Sequence, residues 1–228
     1  MAKVMFSAAV GDLRNKVGGA VFTKTRFGSM VRRKVSPTQP RSSSQMNVRA
    51  NFTSLSKLWS HSTMDSYRDA WITLADSYPI KDVFGQSQRL TGHQMFVRLN
   101  RALATITVNP ILVPPTSLSV PYPGVLTLAH DGPPVTSLTV NVGTWPTAAE
   151  RAVVYATAGI SAGRASAGAR FRYMTFFESV NAPPFDFITA YINKFGLPIV
   201  GRQIFVRVVF TNMTTGAQSL PGEASITI

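Results

Sequence analysis

QIFVRVVFTN, at residues 203–212, is rich in β-branched and aromatic side chains and carries one of the clearest period-two patterns of the chain, which predicts a strand. SLTVNV (137–142) and RAVVYAT (151–157) show the same pattern. Further β-branched runs lie between Gly, Pro and Asn turns at 118–120, 124–129, 171–177 and 223–228. About seven short strands over 118–228 predict an Ig- or fibronectin-like β-sandwich, with 212–219 as the loop of its final hairpin.

Residues 42–109 predict a small domain of three helices. The first begins at one of the serines 42–44 and ends near 59, and its apolar side chains recur at spacings of four, three and four. These residues are Val48, Phe52, Leu55 and Trp59. They form one apolar stripe, and we expect Trp59 in the helical core.

Two more helices complete this unit. Thr63 is a plausible cap for a helix at about 64–77, which buries Trp71, and Thr91 for one at about 92–105. Residues 110–117, PILVPPTS, then predict a stiff Pro-rich linker to the β-sandwich, because successive prolines favour extended geometry.

Residues 1–41 predict a basic arm. The stretch 17–35, VGGAVFTKTRFGSMVRRKV, alternates roughly between apolar and polar or basic residues, and Gly28-Ser29 would turn it into a β-hairpin with an apolar and a basic face. A lone hairpin is marginal in water and needs something to pack on. The predicted fold class is therefore α+β: a basic hairpin arm, a three-helix unit and a C-terminal sandwich.

Positive charge is concentrated in the arm and the start of the first helix. The chain of 228 residues has a formal net charge of +13, from 23 Lys and Arg against 10 Asp and Glu. Residues 1–50 contain ten of the basic residues and only Asp12 as an acid, a net charge of +9. Self-repulsion at this density disfavours compact folding unless a partner supplies negative charge or a surface.

The arm is the candidate binding site, and two kinds of partner are open. A basic segment with interleaved aromatics is typical of nucleic-acid binders, but the apolar members of the alternation favour docking on protein. The candidate partner-binding residues are Lys16, Phe22, Lys24, Arg26, Phe27, Arg32, Arg33, Lys34 and Arg41.

The sequence offers little support for catalysis or a cofactor. There is no cysteine, the three histidines are far apart, and neither VGGAVFTK nor AGISAGRASAGARFR matches a phosphate-binding loop. No run of about 18 apolar residues predicts a membrane span, and the N-terminus lacks the proportions of a secretory signal. We expect a protein that is not an enzyme, with no cofactor, metal or small-molecule substrate and no membrane partner.

One set of motifs runs through residues 16–100: KVGGAVF (16–22), Gly28, VRRKV (31–35), Pro37, Pro40, Gln45, Arg49, Phe52, Trp59, YRDAW (67–71) and LTGHQMFVRLN (90–100). Together these motifs resemble a pattern in uncharacterised proteins of tailed phages and prophages. Those proteins pair a Gly/Arg-rich start and a Trp-containing helical middle with an Ig- or fibronectin-like tail. Gln39 and Ser42 depart from the pattern, which often has Asn and Thr there.

The resemblance implies a phage context, with the virion as the expected location after assembly in the host cytoplasm. It brings no catalytic residues. We expect a capsid cement, decoration or head-completion protein whose arm docks on major capsid, neck or tail proteins, as a homo-oligomer or bound to their lattice. The alternative is a nucleic-acid-binding protein associated with packaged phage DNA.

Overall fold

A computed structural model describes residues 2–6, 10, 12–36, 38–39, 41–132, 134–181 and 183–228. Within these ranges the fold is mixed α+β, with four helices and several antiparallel sheets, about 26% helix and 31% strand. The predicted α+β class is confirmed at this level. Pro37 and Pro40, predicted to end the arm, lie outside the described residues.

The N-terminal region is a four-stranded antiparallel sheet, larger than the predicted hairpin. Its strands are β1 (Ala2–Lys3), β2 (Asn15–Val17), β3 (Ala20–Thr25) and β4 (Gly28–Arg33). They lie in the order β1-β4-β3-β2. The hairpin β3–β4 is the predicted one, and strands from both sides extend it.

Three helices follow in the predicted places. They are α1 (Ser43–Ser60), α2 (Arg68–Ser77) and α3 (Gly92–Thr105). Ser42 caps α1, and Thr91 closes a capping box with Gln94 at the start of α3. The predicted cap Thr63 is wrong: 62–64 form a short 3-10 turn capped by His61, so α2 begins later.

The helical core is rich in aromatic side chains, and residues of α2 and α3 form hydrogen bonds with the segment that follows α3. Trp71 is fully buried edge-on to Phe96, while Trp59 packs on the same ring from a half-buried position. The indole N–H of Trp71 donates to the carbonyl of Leu112 at 2.8 Å, and Asn100 bonds the backbone of Ile111 in both directions. The proline-rich segment 110–117 is thus fixed to α2 and α3 at its start.

A short hairpin of β5 (Ile80–Lys81) and β6 (Ser87–Gln88) connects α2 to α3. The rest of the chain is mostly strand, with one further helix, α4 (Ile188–Phe195). The strands are β7 (Leu126–His130), β8 (Leu138–Val142), β9 (Glu150–Ala156), β10 (Ile160–Ser161), β11 (Arg172–Glu178), β12 (Phe185–Asp186), β13 (Arg202–Asn212) and β14 (Gly222–Thr227).

These strands form two antiparallel sheets that share one core. The smaller sheet has the order β12-β8-β7. In the larger, β13 pairs with β14 on one side and with β9 and β10 on the other, and β11 flanks β9. Leu138 and Val140 of the smaller sheet are fully buried in one cluster with Val154 and Val206 of the larger. The strands predicted at 137–142, 151–157 and 203–212 are confirmed, whereas the predicted strand at 118–120 is absent from the described structure. Burial alternates along β8, but β9 and β13 are buried on both faces.

The helical unit packs on the outer face of the larger sheet. Leu103 and Ile106, at the end of α3, are buried in a cluster with Val153 of β9. The loop between β13 and β14 also approaches α3: a Cβ on Gly216, which has φ of +70°, would lie 2.4 Å from the carbonyl oxygen of Leu99. Only glycine fits that contact.

Candidate interaction surface

The turn of the β3–β4 hairpin lies earlier than predicted. Arg26 and Phe27 form it, while Gly28, with φ of +105°, is already the first residue of β4. The Thr25 hydroxyl accepts the N–H of Phe27 and donates to the carbonyl of Gly28. The Gly28-Ser29 turn is therefore wrong by two residues, because threonine closes the turn before the glycine.

The two faces of the N-terminal sheet do not separate apolar from basic residues. Directly paired residues share a face, and the register pairs Phe22 with Val31 and Ala20 with Arg33 on one face. On the other, Val21 is paired with Arg32. Both faces are thus apolar in places and positive at their margins, which corrects the expectation of one apolar and one basic face.

Asp82 anchors the sheet to the β5–β6 hairpin. Its carboxylate is ion-paired with Lys3 and accepts the backbone N–H groups of Phe84 and Gln86, both at 2.8 Å. Gln88 donates to the same carboxylate at 3.0 Å and to the carbonyl of Phe27 at 3.2 Å. The hydrogen bond from Lys3, with those from the backbone, lowers the pKa of Asp82 from its ordinary value of 3.8.

Among the nine candidate residues, three are held by other parts of the chain. Lys24 is ion-paired with Asp12 at 3.3 Å. Phe22 is half-buried, with its ring 6.3 Å from that of Phe6, and Phe27 is half-buried in the turn tied to Gln88. These three side chains therefore make contacts within the protein, in addition to any contact with a partner.

The other six candidates are exposed cations: Lys16, Arg26, Arg32, Arg33, Lys34 and Arg41. All ten carboxylate side chains lie within the described ranges, and none of them is ion-paired with any of these six. Strands β2, β3 and β4 and their connections place five of the six on one small sheet. The sixth, Arg41, immediately precedes α1.

A further part of this surface was not predicted. The first twelve residues of α1, 43–54, are all exposed, so the apolar stripe is buried only from Leu55 onward. Phe52 is 54% exposed and Val48 45% exposed, and Met46 is 51% exposed on the same part of the helix. The spacing correctly placed them on a helix, but it could not show that the helix is little covered before Leu55. The ring of Phe52 still meets that of His93 on α3, with centroids 6.5 Å apart.

This exposed half of α1 carries charge of the same sign as the sheet. Residues 43–60 include Arg49 and Lys57 and no acidic residue. Arg41, Met46 and Arg49 border one open groove, with Lys57 further along the helix. The term docking surface is used below for two exposed parts of the chain: the N-terminal sheet, within the described residues of 2–36, and residues 41–54 at the start of α1.

No group of three or more His, Cys, Asp or Glu that could hold a metal ion occurs in the described parts of the chain. In those same parts, no helix is long and apolar enough to cross a membrane. What the docking surface offers is several unneutralised cations beside exposed apolar side chains, which can bind a partner that supplies carboxylate or phosphate groups and an apolar contact.

Comparison with known proteins adds no relative. No protein-family model matches the chain, and neither a curated protein nor a solved structure is significantly similar to it. The function is therefore inferred from the residues of the chain themselves.

Proposed function

We propose that the protein is a structural component of a bacteriophage virion that docks on neighbouring protein subunits through its docking surface. The carrying observation is that exposed cations without an acidic partner adjoin exposed apolar side chains on α1: Met46 shares a groove with Arg41 and Arg49, and Phe52 lies beside Lys57. A purely electrostatic tail would need no apolar residues. The phage setting is supported by the resemblance of the motifs within residues 16–100.

The two kinds of side chain have different parts in docking. Burial of Met46, Val48 and Phe52 against a neighbour supplies most of the binding free energy, because apolar area removed from water contributes about 25 cal/mol per Å². Arg32, Arg33 and similar rim cations orient the encounter and increase its rate more than they tighten the complex. The neighbour is then an acidic surface with an apolar groove, on a major capsid, neck or tail protein.

We propose further that residues 118–228 form an Ig- or fibronectin-like β-sandwich. The strand order supports this proposal. In the smaller sheet, β7, β8 and β12 correspond to strands A, B and E of such a sandwich. In the larger sheet, β9, β11, β13 and β14 correspond to its strands C, C′, F and G. An experimental structure with β12 outside the smaller sheet would contradict this assignment. Such a module leaves the N-terminal docking surface free to contact the particle.

The experiment is incorporation into particles. The double variant Arg32→Glu/Arg33→Glu should reduce the copy number of the protein on purified particles, because the charge reversal opposes docking on an acidic neighbour. Phe52→Ser should reduce it further. The matched control is Arg98→Glu/Arg101→Glu, an identical change of charge at two exposed residues of α3 outside the docking surface. Unchanged copy number in both docking-surface variants would refute the proposal.

A nucleic-acid partner is the second candidate, favoured by the same unneutralised cations. Binding to generic duplex DNA across a salt series separates the two. If about six phosphates were neutralised, the logarithm of the affinity would fall with the logarithm of the salt concentration at a slope of about −5. Absence of binding to the duplex at low salt would exclude this alternative.

A further inference from the structure

A second basic feature lies at the other end of the chain. A cavity of about 500 Å³ opens where β9 ends, and four arginines line it. They are Arg164, Arg170, Arg172 and Arg202. These are four of the seven basic residues in 111–228, so more than half of the charge of this region converges on one cavity.

The topology of the larger sheet brings these residues together. Arg202 begins β13 and is paired with Ser161 of β10, while Arg172 begins β11 and is paired with Ala156 of β9. Arg164 lies in the loop between β10 and β11, and Arg170 ends the 3-10 turn 168–170. Strands from three parts of the chain thus surround one opening.

Glycine and serine keep the wall of this cavity open and polar. A Cβ on Gly159 would lie 3.0 Å from the Cβ of Arg202, so the absence of a side chain leaves room for the arginine to cross the backbone. Ser161 is exposed beside it and can donate a hydroxyl hydrogen bond.

None of the cavity's arginines is neutralised within the described structure. No acidic residue lines the cavity, and no ion pair includes any of the four. The five acids of 111–228 are engaged elsewhere: Glu178 pairs with Arg151, Glu223 with Arg207, and the others accept hydrogen bonds in turns. Arg172 alone uses part of its guanidinium, on the carbonyls of Ala169 and Phe171.

We propose that this cavity binds a ligand that carries two or more phosphate groups on a small, non-aromatic carrier, such as a phosphorylated sugar or polyol. Guanidinium groups bind phosphate through paired, charge-assisted hydrogen bonds, and several together favour more than one phosphate. The volume lies within the range of ligand pockets and exceeds what a single phosphate needs.

The aromatic lining argues against a stacked nucleic-acid strand. Recognition of single strands depends on exposed rings on which bases stack. Phe195 is the only ring in the wall among the described residues, and it is half-buried. The nearby ring of Phe171 is covered by the guanidinium of Arg207 at 4.1 Å. The proposal does not depend on the docking surface, which contains none of these residues.

Calorimetric titration of the full chain tests it, with inorganic tripolyphosphate and fructose 1,6-bisphosphate as separate probes. Arg164→Gln/Arg202→Gln should weaken binding by at least about tenfold, because two donors of charge-assisted hydrogen bonds to phosphate are lost. The matched control Arg32→Gln/Arg33→Gln loses the same charge from the docking surface and should bind within about twofold of the wild type. Stronger binding of fructose 1,6-bisphosphate than of tripolyphosphate would identify the carrier as part of the ligand.

Three results would overturn the proposal. The first is the absence of a heat of binding for either probe at millimolar concentration, and the second is equal weakening of binding in both double variants. The third is a loss of duplex-DNA binding in Arg164→Gln/Arg202→Gln with no change in the binding of either probe. Hydrogen exchange of the wild type gives a test free of mutation: bound probe should slow exchange in residues 157–172 and leave 20–33 unchanged. The reverse pattern would place the phosphate site on the docking surface instead.

Discussion

The N-terminal sheet and the two C-terminal sheets were all predicted from short runs that mix apolar and polar residues, yet they differ in what covers them. The C-terminal sheets cover each other and bury a shared core. Among the described residues of 2–36, no side chain is fully buried, and the sheet is held mainly by backbone pairing and the anchor at Asp82. A sequence pattern can therefore predict a strand, but a face of that strand is buried only where another layer of the protein packs on it.

The largest effect should come from breaking the C-terminal core. Phe177 is 1% exposed and stacks on Phe185 with ring centroids 4.6 Å apart. Phe177→Ala should lower the free energy of unfolding by about 3–5 kcal/mol, because it removes a buried ring and leaves a cavity. Urea unfolding followed by circular dichroism measures this.

Val180→Ala is the control for that substitution. Val180 is 84% exposed and near Phe177 in sequence, so its truncation should change stability by no more than about 0.5 kcal/mol. Equal losses for the two variants would mean that the sheets do not share the core described here.

A smaller and more local effect should follow from releasing the N-terminal sheet. Asp82→Asn removes the charge that pairs with Lys3, and hydrogen exchange in 20–33 should accelerate while β13 keeps its protection. Asp76→Asn removes a carboxylate from an exposed pair with Arg89, 3.6 Å apart, and should leave 20–33 unchanged.

The same anchor makes the N-terminal sheet sensitive to acid. The pKa of Asp82 is lowered in the folded protein, so its stabilisation is complete above the ordinary value of 3.8 and is lost as the pH falls through the lowered value. Wild-type protection in 20–33 should therefore decline below about pH 4 and approach that of Asp82→Asn. A variant with the same acid response as the wild type would show that another group controls the sheet.

Features of the fold that neighbouring residues determine were predictable from the sequence, and features that depend on distant contacts were not. Helices with caps such as Ser42 and Thr91 and strands with clear alternation were predicted because neighbouring residues determine them. Helix α4 was missed because eight residues are too few to be helical by propensity. It is held instead by Ile188 and Tyr191, which pack into the core of the C-terminal sheets.

The candidate sites show the same limit. The basic residues of the docking surface were predicted because they cluster within 1–50, where composition alone reveals them. The arginine cavity was missed because Arg202 meets 161–172 only through the pairing of β10 with β13. The run AGISAGRASAGARFR matches no phosphate-binding loop, and nothing local in it indicates a fourth arginine from a distant strand.

The smallest expected change in stability comes from comparing a buried and an exposed residue of the same helix, α1. Leu55 is 5% exposed and Phe52 is 54% exposed, although both belong to one apolar stripe of α1. Leu55→Ala should cost about 2–5 kcal/mol of unfolding free energy, whereas Phe52→Ala should cost less than about 0.5 kcal/mol. Urea unfolding of the two variants measures the difference. A large loss for Phe52→Ala would mean that the first half of α1 folds back onto the body of the protein and does not belong to the docking surface. A negligible loss, combined with a defect in particle incorporation, would show that the ring of Phe52 is retained for binding, since it contributes nothing to the fold.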